Sequence, residues 1–376
     1  MEVPHLNISI EENSLIQGAK DILSILRPKW DLSDIRFKVF TTGHTNKLLG
    51  CFHSKNENEV LLIRVYGNKT DLLIDRNKET ENIKFLCLHG LAPLLYGTFT
   101  NGIVYEYTVG DTLNTVTCRL ENVYTLVAQK LADLHSVKTS TNDKEPALWN
   151  IIEKFLMHIP EKFSDNLKEK RFQDSILKRS NFMKEFNFLK ENLNSLNDSI
   201  VFCHNDLLLS NIIHNLKKNS VTFIDYEYAD CNYQSFDIAN HFNEFADMDN
   251  VDYSLFPNEP FQKNWIRIYL LKYIKNKKKI ENVEVNDEEI ESMFLKVKKF
   301  TLASHFLWGL WSLIQAEHSS IQFDYLNYAF IRFTEYYKKK KEIFNKETTK
   351  RKIINFIKKF NELQIKTNSI LPQKYF

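Results

Sequence analysis

Glycine is almost missing from the larger part of this chain: of nine glycines in 376 residues, eight lie at or before Gly110 and the ninth is Gly309. Glycine suits turns and weakens helix interiors, so the first 110 residues read as turn-rich and the remainder as helical. Cysteine is sparse and unpaired in pattern. Cys51, Cys87, Cys118, Cys203 and Cys231 form an odd, scattered set without a C-x-x-C pair, which argues against a disulfide framework or a zinc knuckle and for a reducing compartment. Neither sign of charge dominates: 50 Lys plus Arg stand against 48 Asp plus Glu, a formal +2, so no global field selects nucleic acid or membrane. Long apolar runs are absent too. The most apolar window, 300–314, is broken by Thr301, Ser304, His305 and Ser312 and is too short to span a bilayer, which leaves a buried helix. The opening MEVPHLNISIEENS has no basic stretch followed by an apolar run, so no targeting signal is read and a cytoplasmic location is expected.

What is present is ordinary for a folded chain, 43% hydrophobic and 26% charged, and the length suits two lobes sharing a cleft. Segments 37–40, 47–52 and 60–66 read as strands of an antiparallel meander, with TTGHTN (41–46) and SKNENE (54–59) as turns. A helix over 71–89 stops at Gly90. Strands at 98–99 and 103–107 flank Asn101-Gly102, a dipeptide suited to a two-residue hairpin turn. These elements predict a nucleotide-binding lobe over 1–108, an N-terminal helical segment plus a five-stranded antiparallel sheet and one helix, followed by a helical lobe over 109–376. In the second lobe Val123, Leu126, Val127, Leu131 and Leu134 recur at helical spacing, predicting a helix over 121–135. The run 276–290 reads as a solvated surface insertion, and the Lys-rich 338–359 as terminal helices with one wet face rather than a nucleic-acid site.

The chemistry concentrates in VFCHNDLLLSNIIHN (201–215) and VTFIDYEY (221–228). Phosphoryl transfer needs a carboxylate beside the attacking hydroxyl and oxygen ligands that hold Mg²⁺ across the departing phosphates. His204-x-Asp206-x4-Asn211 has the spacing of a kinase catalytic loop, with the aspartate as base and the asparagine as a metal ligand. Asp225, leaving the apolar strand 221–224, stands where kinases place a second metal-binding carboxylate. The plain alternative is that both aspartates cap turns and Asn211 is a surface amide. The apolar flanks 201–203 and 212–213 favour the kinase reading, because they set the polar cluster between two buried strands.

HNDLLLSNI (204–212), FIDYEY (223–228), FDIANHFNEFA (236–246), VDYSLFP (251–257) and ASHFLWGLW (303–311) together resemble the choline/ethanolamine kinase family, over about residues 37–328. LIRVYGNKTDLLIDR (62–76) and HGLAPLLYGTF (89–99) are more similar to its ethanolamine branch. The resemblance implies an α+β, protein-kinase-like fold of two lobes with ATP between them, Mg²⁺ as the metal, and ethanolamine as the alcohol phosphorylated, a first step toward phosphatidylethanolamine. It implies that Arg64 contacts phosphate with Glu79 as its partner, that the turn Thr42-Gly43-His44-Thr45-Asn46 covers the phosphates, and that Glu106 and Tyr107 offer backbone groups to adenine. That turn departs from the family pattern in having only one glycine. For the ammonium end the resemblance implies Glu244, Asp252 and Tyr253, with Trp308 and Trp311 as an aromatic wall. Phe245 stands where choline-directed relatives tend to carry tryptophan, which leans toward the smaller ammonium. His204 is expected to orient the loop, and His214, His241 and His305 lack metal-ligand spacing. Two rivals stay open: a choline or dual-specificity kinase, and a catalytically inactive kinase-like binding module, against which Asp206, Asn211 and Asp225 speak. Neither nucleic acid nor membrane insertion is expected, and a homodimer is left open.

Overall fold

Between residues 35 and 66 apolar and polar residues form three strands that pair in sequence order: β2 (Ile35–Phe40), β3 (Asn46–His53) and β4 (Val60–Tyr66), each antiparallel to the next. The computed structural model describes residues 3–40, 46–56, 59–67, 73–139, 145–175, 177–319 and 321–344. They group into two units: residues 1–137 with 206–230, and residues 138–205 with 231–376. The expected division at 108/109 does not coincide with this grouping, which places residues 109–137 and 206–230 with the first unit.

In the first unit β5 (Leu95–Phe99) and β6 (Gly102–Glu106) join the meander, and a short β1 (His5–Leu6) runs parallel to β5. The order is β1-β5-β6-β4-β3-β2, so among the described residues the sheet has six strands and is mixed, not five-stranded and antiparallel. Two residues are too few to show a strand period. What holds them is backbone pairing with β5, Thr98 N donating to Pro4 O and Thr100 N to Ile8 O, each at 2.9 Å, and beyond the strand the Asn101 amide clasps Ile10, accepting from its N at 2.9 Å and donating to its O at 2.8 Å. The hairpin tip is also one residue earlier than expected, because Phe99 pairs with Gly102 and leaves Thr100 and Asn101 as the loop. Gly102 is required for a different reason: a Cβ there would lie 2.1 Å from the Arg64 carbonyl oxygen, so β6 approaches β4 too closely for any side chain.

One face of this sheet packs on α1 (Leu15–Leu26), whose Ala19, Ile22 and Leu23 join Leu49, Cys51, Ile63, Val65, Phe99 and Val104 in a buried core. Next comes α2 (Arg76–Leu88), shorter than the predicted 71–89 because Asp75 caps it, accepting from Asn77 N and Lys78 N. Gly90 beyond its end has the left-handed φ of +65° that stops a helix. A small antiparallel sheet of β7 (Asp111–Thr112), β9 (Ile212–Asn215) and β10 (Ser220–Phe223) packs with α3 (Glu121–His135), which matches its predicted bounds.

The second unit contains α4 (Ala147–His158), α5 (Asn166–Asp174), α6 (Arg179–Asn194), the paired strands β8 (Ile200–Cys203) and β11 (Asp230–Tyr233), α7 (Gln234–Asn243), α8 (Glu259–Lys278), α9 (Asp287–His318) and α10 (Tyr325–Phe344). The apolar window 300–314 is the buried middle of α9, against which α4, α7, α8 and α10 pack. Gly309 lets the Phe333 ring of α10 close in, since a Cβ would meet it at 2.8 Å. The expected insertion over 276–290 contracts to 279–286. α8 runs to Lys278 before left-handed Lys279, and α9 starts early through a reciprocal cap between Asn286 and Glu289. The Lys-rich tail is helical to Phe344, and residues 345–359 of that reading lie outside the described residues. Among the described residues no helix is long and apolar enough to cross a membrane.

Candidate active site

The HNDLLLSN loop leaves β8 under tight restraint. The backbone N–H groups of His204 and Asn205 donate to the two carboxylate oxygens of Asp237, at 2.7 and 2.8 Å. Asn205 takes a left-handed φ of 65°, unfavourable for a residue with a Cβ, and Asn232 Nδ2 donates to its side-chain oxygen at 2.8 Å. Asp206 follows in the chain. Its carbonyl accepts from Leu208 N and from Asn211 Nδ2, each at 2.9 Å. With its amide nitrogen so engaged, Asn211 turns its Oδ1 away from that bond, and among the described residues no donor reaches it.

Asn211 and Asp225 are brought together by the hairpin between β9 and β10. Ile212 pairs with Phe223, and Ile224 N donates to Asn211 O at 3.0 Å, so the residues that precede β9 and follow β10 lie at one end. Asp225 there has a left-handed φ of 66°. Its Oδ1 lies 2.9 Å from Arg64 Nη1 on β4, and the same nitrogen is 2.9 Å from Glu79 Oε1 on α2. The expected Arg64–Glu79 pair therefore forms and takes in Asp225.

Two further residues complete the cluster that the sequence reading omitted. Glu227 Oε2 accepts from Arg64 Nη2 and, at 3.0 Å, from Arg76 Nη1, which also reaches Glu79 Oε2 at 2.9 Å. Asn46 joins through its amide, Nδ2 donating to Glu227 and Oδ1 accepting from Arg76, both at 3.3 Å, while the Arg76 guanidinium lies 4.0 Å over the Tyr66 ring. Glu227 could have been suspected from FIDYEY, where it shares alternation with Asp225; Arg76 gave no local signal.

Three carboxylates thus face two guanidiniums, one negative charge in excess within a buried site. Burial alone would depress Arg64, but Asp225, Glu79 and Glu227 outweigh it and hold the guanidinium well above its ordinary value. Burial pushes Asp225 up to about 7, with Arg64 opposing and Glu227 and Glu79 adding to the rise. Glu227 is likewise desolvated, yet Arg64 and Arg76 keep it below its ordinary value. The Asn211 amide oxygen and the Asp225 carboxylate, carried to one end of the hairpin, are hard oxygen donors, which fit Mg²⁺ rather than a soft metal.

The remaining nucleotide candidates divide. Thr42, Gly43 and Thr45 lie outside the described residues. Glu106 N donates to Leu94 O at 2.8 Å and its Oε2 accepts from Leu94 N at 3.1 Å, so its N–H is engaged within the sheet edge. Tyr107 N reaches Val60 O only at 3.5 Å, and its ring packs on Phe40 and Phe52.

In the second unit the ammonium candidates sit on and around α7 and α9. Glu244, 3% exposed, follows α7 and accepts from Arg332 Nη1 of α10 at 2.8 Å through Oε1. Among the described residues nothing else donates to its side chain. Arg332, 1% exposed, also donates to Tyr328 Oη at 3.1 Å and Ser304 Oγ at 3.0 Å. Trp308 and Trp311 are both buried, ring edge to face at 5.7 Å, and Trp308 Nε1 donates to Asn240 Oδ1 at 2.8 Å. Tyr253 Oη lies 3.5 Å from His305 Nδ1, their rings 5.2 Å apart. Asp252 is exposed and accepts from Ser254 N at 2.9 Å, capping the turn that carries Tyr253. Phe245 is core, fully buried against His241 and Phe261. Arg332 was not anticipated, as it lies 88 residues from the glutamate it holds.

Comparison with known proteins agrees with this geometry. Residues 37–337 match the profile of the family described as choline/ethanolamine kinase. The chain is 43% identical to ethanolamine kinase 1 of Homo sapiens, over 91% of this chain and 76% of that protein, and 40% identical to ethanolamine kinase of Drosophila melanogaster, over 90% and 80%. Its structure is similar to a Plasmodium vivax ethanolamine kinase, with TM-score 0.76 and 29% identity over 88% of this chain and 90% of that one. It is also similar to a Cryptosporidium parvum choline kinase, with TM-score 0.71 and 26% identity over 87% and 96%. With an α+β, protein-kinase-like fold, a kinase-type loop and hairpin, and this extent of shared sequence, the chain belongs to the choline/ethanolamine kinase family.

Proposed function

We propose that this protein transfers the γ-phosphoryl group of ATP to the hydroxyl of ethanolamine, giving phosphoethanolamine and ADP. The observation that carries the reading is the convergence of Asn211 and Asp225 at one hairpin end, where the amide oxygen lacks a donor among the described residues and burial, with Glu227 and Glu79, disfavours the free carboxylate. Relatives about 40% identical over most of the chain bear the name ethanolamine kinase.

In this reading Asp206 accepts the hydroxyl proton as the substrate oxygen bonds to the γ-phosphorus and the bond from that phosphorus to the β,γ-bridging oxygen breaks. Asn211 and Asp225 would hold Mg²⁺, which when bound would neutralise phosphate charge. Arg64 offers its fork to phosphate oxygens while Glu79 and Glu227 keep it oriented. Thr42, Gly43, Thr45 and Asn46 are assigned to the turn over the phosphates, and Glu106 and Tyr107 to the adenine edge.

The choice of ethanolamine follows from hydrogen bonding. A primary ammonium carries N–H donors and requires acceptors, whereas a quaternary head has none and depends on aromatic faces. Glu244 Oε2 is such an acceptor, since Arg332 occupies the other oxygen. Tyr253 and Asp252, with Trp308 and Trp311, are assigned to the same end. Choline remains the competing substrate because those aromatic residues would suit it.

A coupled ADP-release assay across ethanolamine, its methylated derivatives, choline and an aminoglycoside tests the reading. We expect kcat/KM for ethanolamine to exceed that for choline by at least about tenfold, falling with each added methyl. The reverse preference would make the protein a choline kinase, and ADP release with none of the alcohols would favour an inactive, kinase-like binding module.

A further inference from the structure

Within the second unit a chain of buried side chains leads from the residues assigned to the ammonium end to the peptide that immediately precedes Asp206. Arg332 holds Glu244 through Nη1 at 2.8 Å and donates through Nη2 to Ser304 Oγ at 3.0 Å. Ser304 Oγ in turn donates to Asn240 Oδ1 at 2.8 Å. Asn240 accepts a second bond there from Trp308 Nε1 at 2.8 Å, and its Nδ2 donates to the backbone oxygen of Asn205 at 3.3 Å. Ser304 and Asn240 are wholly buried. Each link in this line pairs a donor with an acceptor away from solvent, so breaking one leaves its neighbour with an unmet bond that water does not readily replace.

The far end of the line is the strained part of the loop. Asn205 keeps its left-handed backbone because Asp237, Asn232 and Asn240 together bind its N–H, its side chain and its carbonyl. Its carbonyl belongs to the peptide bond that Asp206 continues, so loosening Asn240 loosens the direction in which Asp206 leaves that bond. Asn240 is thus the junction at which the Glu244–Arg332 pair and the Trp308 indole meet the catalytic loop.

We infer that Ser304 and Asn240 are positioning residues that couple the seating of a cationic head group on Glu244 and Trp308 to the orientation of Asp206. The inference rests on the assignment of Glu244 and Trp308 to the ammonium end. On this account the ammonium contributes to turnover, and not to affinity alone: by fixing Glu244 it fixes Arg332, then Ser304 and Asn240, and finally the backbone from which the base projects. An alcohol without the charge leaves the line unclamped.

Ser304→Ala breaks the line at its middle while leaving the Glu244–Arg332 pair and the Trp308–Asn240 bond in place. The test measures phosphorylation of ethanolamine and of ethylene glycol, the uncharged analogue, by the full-length wild-type and variant chains, with melting curves to establish that each is folded. We expect kcat for ethanolamine to fall about tenfold with its KM changed less than about threefold, and the glycol rate to fall by much less, so that the preference for the cation shrinks. Where the alanine chain does not fold, Ser304→Cys, similar in volume but a weak hydrogen-bonding group, takes its place with the same expectation. Equal losses on both alcohols would make Ser304 merely structural, a change in KM alone would confine the line to binding, and unchanged kinetics would remove the coupling; each overturns the inference. Failure of wild-type protein to phosphorylate ethanolamine would instead overturn the proposed function.

Discussion

Replacing Asp206 by alanine is expected to lower kcat for ethanolamine by about 10²–10⁴-fold, the range lost when a positioned general base is removed, while ATP binding changes little. The separation follows from the geometry. The Asp206 backbone carbonyl, not its side chain, ties Asn211 in place, accepting Nδ2 at 2.9 Å, so the alanine chain keeps the amide that is assigned to the metal. Titration of nucleotide into the variant and steady-state turnover, measured on one preparation, report the two halves. A fall in nucleotide affinity as large as the fall in kcat would mean that Asp206 organises the nucleotide site and is not the base.

The second large effect falls on stability. Arg64 Nη1 reaches both Glu79 and Asp225 and Nη2 reaches Glu227, so Arg64→Met leaves the buried Glu79 and Glu227 with Arg76 as the remaining guanidinium among the described residues of the cluster, and the part-buried Asp225 without its ion pair. Removing one partner from a buried ion network costs on the order of 3–5 kcal/mol, because the remaining charges keep their desolvation penalty without compensation. Denaturant unfolding should show a loss of that size, and Arg64→Lys should recover only part of it, since one ammonium cannot serve both ends of the fork.

The loss should also grow with pH. Burial has raised Asp225 to about 7 in the folded chain against an ordinary 3.8, so its proton-linked stability is present below about pH 4 and disappears as pH rises through 7. Without Arg64 the carboxylate needs that proton more. The variant should therefore lie closer to wild type at pH 6 than at pH 8. A penalty below about 1 kcal/mol at both values would show that the carboxylates do not depend on the guanidinium.

How far the sequence discloses this site depends on the range of the interaction. The strand Val60–Tyr66 and the helix Glu121–His135 have the bounds read from their periodicity, because both are long enough to express a pattern. The two-residue strand His5–Leu6 is not, and it is held by pairing with Thr98 and Phe99, more than 90 residues along the chain. Asp206, Asn211 and Asp225 were visible through motif spacing and apolar flanks. Arg64 with Glu79 came through the family resemblance.

Arg76 and Glu227 meet across 151 residues, and Arg332 and Glu244 across 88, so neither pairing leaves a trace in any local window. The same holds for Asn101 and Gly102. They looked like a hairpin dipeptide, yet the asparagine is needed for its side chain and the glycine for the nearness of the Arg64 carbonyl.

The central claim is that the acid, the amide and the second acid move a phosphoryl group from ATP to an amino alcohol. Phosphorus resonance of the full-length protein with ATP and ethanolamine, with Mg²⁺ and after its removal by chelation, tests this most directly. The account predicts that the γ-phosphate signal is replaced by that of a phosphate monoester of ethanolamine in equal amount to ADP, only when Mg²⁺ is present. Conversion to inorganic phosphate alone, or ATP left intact with Mg²⁺ and ethanolamine present, would contradict it.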